Sequence, residues 1–430
     1  MTHPGAANVL VACPDARPPA YQAVIGLDRA GLLQSFLTSY YYRESAWISA
    51  LGRKLLPKAY AKVERALRRR HDPEIPAGRV RSAWSFDVAL RVENRLASHR
   101  ANARRDVAKW RLERFDTVFA REVERSQPGA VLAFSDVGSE QALPTCTLLG
   151  IPSVLSMVHG DVREEREVLE REAACSPDFF PLYLGDAVLD LEQLDRLHNR
   201  RLRELELADL VLVPSEHIAT ALARHGTPRS KIRVIPYAAD SRRFQPDPTK
   251  IHGESCTFLF AGGVSQRKGI KYLLEAWRNV RRPGWKLQLL GALPRDPGPL
   301  APLLEGVELL GRVPHSEVPA KMAAADVFVF PSLFEGSAVV TYEALASGLP
   351  CIVTPSAGSV VRDGIEGILV PPAEAEPLRA AMEKLGTAPA LRAMMSASAR
   401  TRAESFDWPR YHASVVEAVH SVMIPEEVPA

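Results

Sequence analysis

From Phe328 to Pro355 the chain reads FVFPSLFEGSAVVTYEALASGLPCIVTP, and this pattern restricts the fold more than any other feature. VFVF and CIVT have the β-branched and aromatic composition of short buried strands. Between them TYEALASG has helical spacing and stops at Gly348-Leu349-Pro350, a glycine-proline signal that ends helices. The unit is strand, loop, helix, strand. Strands joined through a helix pair parallel, with the helix covering one face of the sheet. The same alternation runs through VLAFSDVGSEQALPTCTLLGIPSVLSMVHG (131–160) and across 257–370, so the chain reads as α/β with two doubly wound halves. Ligands of such folds lie beyond the carboxyl ends of the strands, and two facing halves enclose a cleft.

The loop and helix inside this unit carry the candidate chemistry. The first amides of the helix, around Ser337 to Val339, lack internal partners and hold the positive end of the helix dipole, which suits a phosphate. Glu335 in the loop and Glu343 two turns along the helix fall on roughly one side, at about 3.6 residues per turn. Carboxylates accept hydrogen bonds from paired hydroxyls, as sugars present them. A structural reading makes Glu335 a helix-start acid and Glu343 a solvated residue. Against it, Glu343 lies in an otherwise apolar helix, and Gly336 and Ser337 let a ligand approach the backbone.

The segment EGSAVVTYEALASGLPCIVT resembles the E-x7-E signature of retaining GT-B glycosyltransferases, in particular glycosyltransferase family 4 (glycosyl transferases group 1), whose members read like EGFGLVLLEAMACGLPVVA. The resemblance implies two Rossmann-like domains facing across a cleft. It gives the transferred sugar to Glu335 and the ribose hydroxyls to Glu343, and sets Gly336, Ser337, Ala338 and Val339 around the donor. Ser337-Ala338 stand where Phe-Gly is common. TFLFAGGVSQRKGIKYLLEAW (257–277) is similar to the family's VGRLSPEKGVDLLLEA, with Gly262 and Gly263 at the donor and Lys268 at the lysine that offsets diphosphate charge. The family's arginine is Gly263 here, and Arg267 is the candidate second cation. Read without the resemblance, Arg267 and Lys268 are first-turn surface charges, although cations at a helix start oppose its dipole.

ADLVLVPSEHIATALARHGTPRSKIRVIPYAADSRRFQP, from Ala208 to Pro246, resembles the family's passage out of the first domain; Ser215 is a natural N-cap for a helix beginning at Glu216. His159 follows an apolar strand and resembles the family histidine near the donor sugar, with Asp161 two residues on. Two readings of His159 stay open, a structural histidine and a substrate contact that orients the sugar.

The resemblance thus implies a retaining, metal-independent, hexosyltransferase-type enzyme. It would move a sugar from a nucleotide-diphosphate sugar to a glycan or lipid-linked acceptor, in cell-surface polysaccharide or glycolipid synthesis. The catalytic group would be Glu335, Lys268, Arg267 and His159, with no cofactor besides the nucleotide-sugar co-substrate; the sequence contains no DxD triplet. Alternatives are another GT-B enzyme, such as a sugar-nucleotide epimerase or a phosphorylase, and a catalytically silent nucleotide-sugar binding or scaffold protein, which Gly263 favours. A nicotinamide-dependent oxidoreductase would share the topology, but AGGVSQRKG is not G-x-G-x-x-G.

A length of 430 residues accommodates two or three domains. QPDPTKIHGES has linker composition and sets a boundary near 245–255. The division is 1–245 for the acceptor, 255–405 for the donor, and a helix within 406–430 crossing back to the first domain. Charge is polarised. Between Arg43 and Arg114 there are 19 lysines and arginines against 8 acids, a surplus of 11 in a chain whose net charge is +3. Residues 40–115 therefore form a basic insertion, to be read either as a solvated face or as one that meets an anionic membrane surface. No RNP, helix-turn-helix or zinc-finger pattern points to nucleic acid. Cys13, Cys146, Cys175, Cys256 and Cys351 are scattered, without metal-ligand spacing. With neither a signal-peptide pattern nor an 18-residue apolar run, the expected location is cytoplasmic, peripheral at the inner face of the membrane if the basic insertion binds lipid.

Overall fold

The computed structural model describes residues 8–15, 18–43, 64, 67–96, 100–185, 187 and 189–423. Seven strands, β1 Val9–Ala12, β2 Leu33–Thr38, β3 Val80–Ser82, β4 Ala130–Phe134, β5 Ser153–Ser156, β6 Leu210–Val213 and β7 Ile232–Val234, form one sheet in the order β3-β2-β1-β4-β5-β6-β7. Six more, β8 Cys256–Ala261, β9 Trp285–Leu290, β10 Val307–Gly311, β11 Val327–Phe330, β12 Cys351–Val353 and β13 Gly367–Leu369, form a second in the order β10-β9-β8-β11-β12-β13. Every pairing between these strands is parallel. The strand order reverses beside β1 and β4 in the first sheet and beside β8 and β11 in the second, where doubly wound sheets leave their crevices.

The apolar runs form strands because both faces are covered. All residues of β1, β4, β6, β11 and β12 are buried, which explains continuous hydrophobic stretches where a half-exposed strand would alternate. The covering helices of the first half are α1 Pro18–Arg29, α2 Ser85–Arg95, α3 Ala101–Ser126, α4 Ala142–Leu149, α5 Val162–Cys175, α6 Leu191–Leu207 and α7 Glu216–Arg224. Those that follow are α8 Ile270–Val280, α9 Val318–Ala324, α10 Val339–Ala346, α11 Ala375–Thr387, α12 Pro389–Ala403 and α13 Trp408–Met423. Side-chain caps set three starts: Asp161 accepts from the Arg163 amide (2.9 Å), Asp190 from Gln193 (3.1 Å) and Ser215 from Ile218 (3.4 Å). α10 stops as its sequence predicts. Gly348 has φ 69°, and the amides of Gly348 and Leu349 donate to the carbonyls of Leu345 (2.9 Å) and Ala344 (3.0 Å).

The two halves meet along a polar seam. Glu172 on α5, fully buried, accepts from Gln266 Nε2 (2.6 Å) and the Tyr272 hydroxyl (2.9 Å), while Lys271 Nζ donates to Ser176 Oγ (2.8 Å). No helix or strand occurs between β7 and β8. At the other end α13 returns to the first half and lies on α1. The Tyr411 hydroxyl donates to the Pro19 carbonyl (3.1 Å), and His412 Nε2 donates to Gln22 Oε1 (2.7 Å). Gly26 permits this approach, since a Cβ there would sit 2.8 Å from His412 Cβ.

The basic insertion expected over 40–115 includes residues 44–63, 65–66 and 97–99, which lie outside the described residues. Among the described ones, its cations pair with acids from other elements. Arg70 meets Asp87 (2.9 Å), Arg79 meets Asp28 (2.9 Å), and Arg104 and Arg105 share Asp190 (3.1 and 2.7 Å). No helix among the described residues is long and apolar enough to cross a membrane.

Candidate active site

The carboxyl ends of β8 and β11 bring the predicted charges together. After β8 the chain passes Gly262 and Gly263 and forms a 3-10 turn, Gln266–Lys268; after β11 it runs through Ser332 to Glu335 before α10. The two loops are tied by backbone bonds, Leu333 N–H donating to the Arg267 carbonyl (2.8 Å) and Arg267 N–H to the Tyr183 carbonyl of the first half (3.1 Å). Glu335 Oε1 consequently lies 3.3 Å from Lys268 Nζ and 3.6 Å from Arg267 Nη2. The Glu335 carboxylate holds the Arg267 guanidinium above its ordinary pKa, so its charge is secure. Gly262 clears the path of the lysine: a Cβ there would be 3.2 Å from Nζ, which rests 4.8 Å from the Phe330 ring centroid.

These cations line a cleft of about 340 Å³ together with Gly263, Val264, Leu293 and Arg312, closed on the first-half side by Leu184 and Gly185. Among the described residues nothing lies within 4 Å of a Cβ built on Gly263, so open space remains where the family has an arginine. Arg312, one residue beyond β10, offers a guanidinium to the same cleft. Sequence reasoning passed over it because no motif surrounds it and only the sheet order brings it near β8.

Gly336 is required by close approach. A Cβ would fall 2.3 Å from the Val158 carbonyl oxygen and 3.0 Å from His159 Cα, and a Cβ on Gly160 would strike the Phe334 ring at 2.6 Å. The donor-side loop therefore touches the loop carrying His159. Ser337 turns inward, its hydroxyl donating to the Gly358 carbonyl at 2.7 Å. The Ala338 amide donates to Ala357 at 3.1 Å, which corrects the expectation that it faces an anion. Of the Ser337–Val339 cradle, the amides of Ser337 and Val339 are left for that role. Glu343 stands apart from the cations, mostly buried on α10 and 3.5 Å from His315 Nε2.

His159 Nδ1 lies 2.7 Å from the Gly160 carbonyl, which can only accept, so the proton is on Nδ1. Nε2 is then a bare acceptor, buried and with no hydrogen-bond partner among the described residues. Burial first, and the Arg201 charge second, push the imidazole pKa down to about 4, so it stays neutral near pH 7. Asp161, two residues on, is no ligand of the cleft. It caps α5 and pairs with Arg163 (2.7 Å) and His225 (3.0 Å); burial opposes its ionisation, but Arg163 and His225 bring its pKa below the ordinary carboxylate value.

Two facing, all-parallel, doubly wound sheets with charged loops at adjoining strand ends are the GT-B fold, and residues 255–387 of the second half match the family described as "Glycosyl transferases group 1". The chain is 32% identical over 186 residues to the "Putative colanic acid biosynthesis glycosyltransferase WcaL" of Escherichia coli strain K12, covering 40% of this chain and 46% of that protein. The chain spans about half the length of the curated relatives it matches. Among solved structures, sucrose-phosphate synthase from Thermosynechococcus elongatus superposes with TM-score 0.66 at 17% identity, over 96% of this chain and 98% of that one. HepE of Anabaena in complex with UDP and glucose superposes with TM-score 0.61 at 16% identity, over 96% and 100%. These likenesses extend the GT-B fold across both halves.

Proposed function

We propose that the chain is a retaining, metal-independent glycosyltransferase of family 4 that uses a nucleotide-diphosphate sugar. The observation that carries this reading is the cluster Glu335, Lys268 and Arg267 at the carboxyl ends of β8 and β11, pressed against His159 of the other half. As the bond from the sugar's anomeric carbon to the β-phosphate oxygen breaks, negative charge grows on the diphosphate. Lys268, Arg267 and Arg312 are placed to stabilise it, with the amides of Ser337 and Val339 at the start of α10. Glu335 and the bare Nε2 of His159 accept hydrogen bonds from sugar hydroxyls, and Glu343 accepts from the ribose. The acceptor hydroxyl attacks on the face the leaving group departs from, and its proton passes to the diphosphate oxygen. A neutral imidazole with its proton committed to Gly160 orients the sugar and moves no proton. The acceptor is a glycan or lipid-linked glycan of cell-surface polysaccharide or glycolipid synthesis, a reading supported by the likeness to WcaL, which is named for colanic acid biosynthesis. The protein would act in the cytoplasm, at the inner membrane face if the basic insertion binds anionic lipid.

Gly263 supports a second reading, a silent nucleotide-sugar binder, because the family's arginine is missing there. Turnover separates the two. With a donor selected by thermal shift from a panel of nucleotide sugars, Lys268→Ala and Glu335→Gln should each lower kcat by about 100-fold or more, the scale of losing one group that stabilises transition-state charge. Near-normal rates in both variants, or no turnover in the parent, would favour the silent binder.

A further inference from the structure

A second cavity, larger than the donor cleft, lies away from it. It is about 550 Å³ and sits at the reversal point of the first sheet, where Pro14 and Asp15 follow β1 and Ser135 and Asp136 follow β4. Helices α2, α3 and α6 wall it. Its lining holds six cations, Arg105, Lys109, Arg111, Arg196, Arg200 and Arg203, against four carboxylates, a net of two positive charges. The opposite lining is apolar, with Phe86, Leu90, Leu112 and Leu197.

Several of these cations are already satisfied: Arg105 by Asp190 (2.7 Å), Arg111 by Glu93 (3.1 Å), and Arg203 by the Ser139 carbonyl (3.0 Å). Arg196 and Arg200 are satisfied only in part, with Arg200 Nη1 donating to Glu140 Oε1 (3.0 Å). They lie one turn apart on α6, on one face. Arg196 Nη2 and both Nε and Nη2 of Arg200 are buried with no hydrogen-bond partner among the described residues. The acids beside these particular nitrogens do not answer them. Arg196 is 3.8 Å from Glu192, and Arg200 Nη2 is 3.6 Å from Asp116, whose oxygens already accept the amides of Glu140, Gln141 and Ala142. A buried guanidinium nitrogen without an acceptor is costly unless a ligand supplies one. At the rim, Asp136 holds φ 82°, its amide bound by Glu204 (2.8 Å) and its carboxylate by Arg201 (2.7 Å). A left-handed aspartate fixed from both sides is a strained residue of the kind that gathers at binding sites.

We propose that this cavity takes a phosphate or diphosphate ester bearing a hydrocarbon portion, with Arg196 and Arg200 holding the phosphoryl oxygens and Phe86, Leu90, Leu112 and Leu197 covering the chain. That such a molecule is the acceptor rests on the glycosyltransferase reading; that the cavity binds it does not. The volume is that of a ligand pocket, and the split lining is that of a site for an amphipathic anion. A guanidinium matches phosphoryl oxygens with two parallel donors, which a lysine cannot supply.

Calorimetric titration of the full chain with geranyl phosphate, inorganic phosphate and geraniol tests this. Geranyl phosphate should bind at least tenfold more tightly than either of the others. Arg196→Gln should weaken it about tenfold, the loss of a charge-assisted hydrogen bond. Leu90→Ser, which leaves the cations in place, should weaken geranyl phosphate and leave inorganic phosphate unchanged. Absence of geranyl phosphate binding, equal binding by Arg196→Gln and the parent, or geraniol or inorganic phosphate matching geranyl phosphate would overturn the proposal. Lys268→Ala serves as the separator: it should lose UDP affinity and keep geranyl phosphate. UDP binding unchanged in that variant would count against the donor assignment alone.

Discussion

At the scale of single residues, local spacing around a strand end and a helix start marked Glu335 and Lys268, which the fold brings to within 3.3 Å of each other, while Glu343 lies apart from them beside His315. Arg312, Arg201 and Tyr183 were illegible, since each reaches the site through the tertiary fold. The Ala338 amide was misread for the same reason: its partner, the Ala357 carbonyl, lies beyond β12. His159 shows how a residue's state follows from its surroundings. Its ordinary pKa of 6.5 drops to about 4, so between these values the unfolded chain takes up a proton that the folded one refuses. The histidine's contribution is therefore fully present above pH 6.5 and lost as pH falls toward 4, about 2 kcal/mol of it by pH 5. Replacing His159 by Gln should shrink the drop in stability between pH 7 and pH 5 by about that amount in urea unfolding. Parallel curves for the two proteins would refute the assignment.

Elements were legible to the extent that burial wrote them. β4, β6, β11 and β12 are covered on both faces and read as unbroken apolar runs. The Ser215 cap of α7 and the glycine ending α10 were likewise visible, because short-range hydrogen bonds specify them. What α5 does was not. Its sequence, VREEREVLEREAAC, reads as a solvated charged helix, yet Glu172 is fully buried and holds the turn that carries Arg267 and Lys268 through Gln266 and Tyr272. Glu172→Leu would strand both partners in a buried place, at about 2–4 kcal/mol. It should lower Tm and, on the glycosyltransferase reading, reduce kcat more than it raises the KM for donor. Glu172→Gln, which retains a carbonyl acceptor, should recover part of both. A variant with normal kcat would make this contact purely structural.

On the scale of the whole molecule, the strand-helix alternation predicted two doubly wound sheets, and both are present. The charge surplus of the first half was also visible, but not its disposition. Part of that basic stretch forms walls of the larger cavity, with several cations neutralised by acids distant in sequence, which no local pattern encodes. α13 ties the last residues of the second half to α1 through Tyr411 and His412, an attachment made possible by Gly26. Gly26→Val would push the helices apart or force His412 out of place, at about 1–3 kcal/mol of overpacking. Lower Tm with normal secondary structure is expected in thermal unfolding followed by circular dichroism. An unchanged Tm would mean that α13 contributes little to the union of the halves.

One close approach of the two halves runs through Gly336 and Gly160, where the room for a side chain is filled by the opposite backbone or ring. The spacing between the loop carrying His159 and the loop carrying Glu335 is thus gauged by atoms that are missing. One methyl at position 336 would act as a shim, holding the jaws apart by its own thickness while leaving every charged group intact.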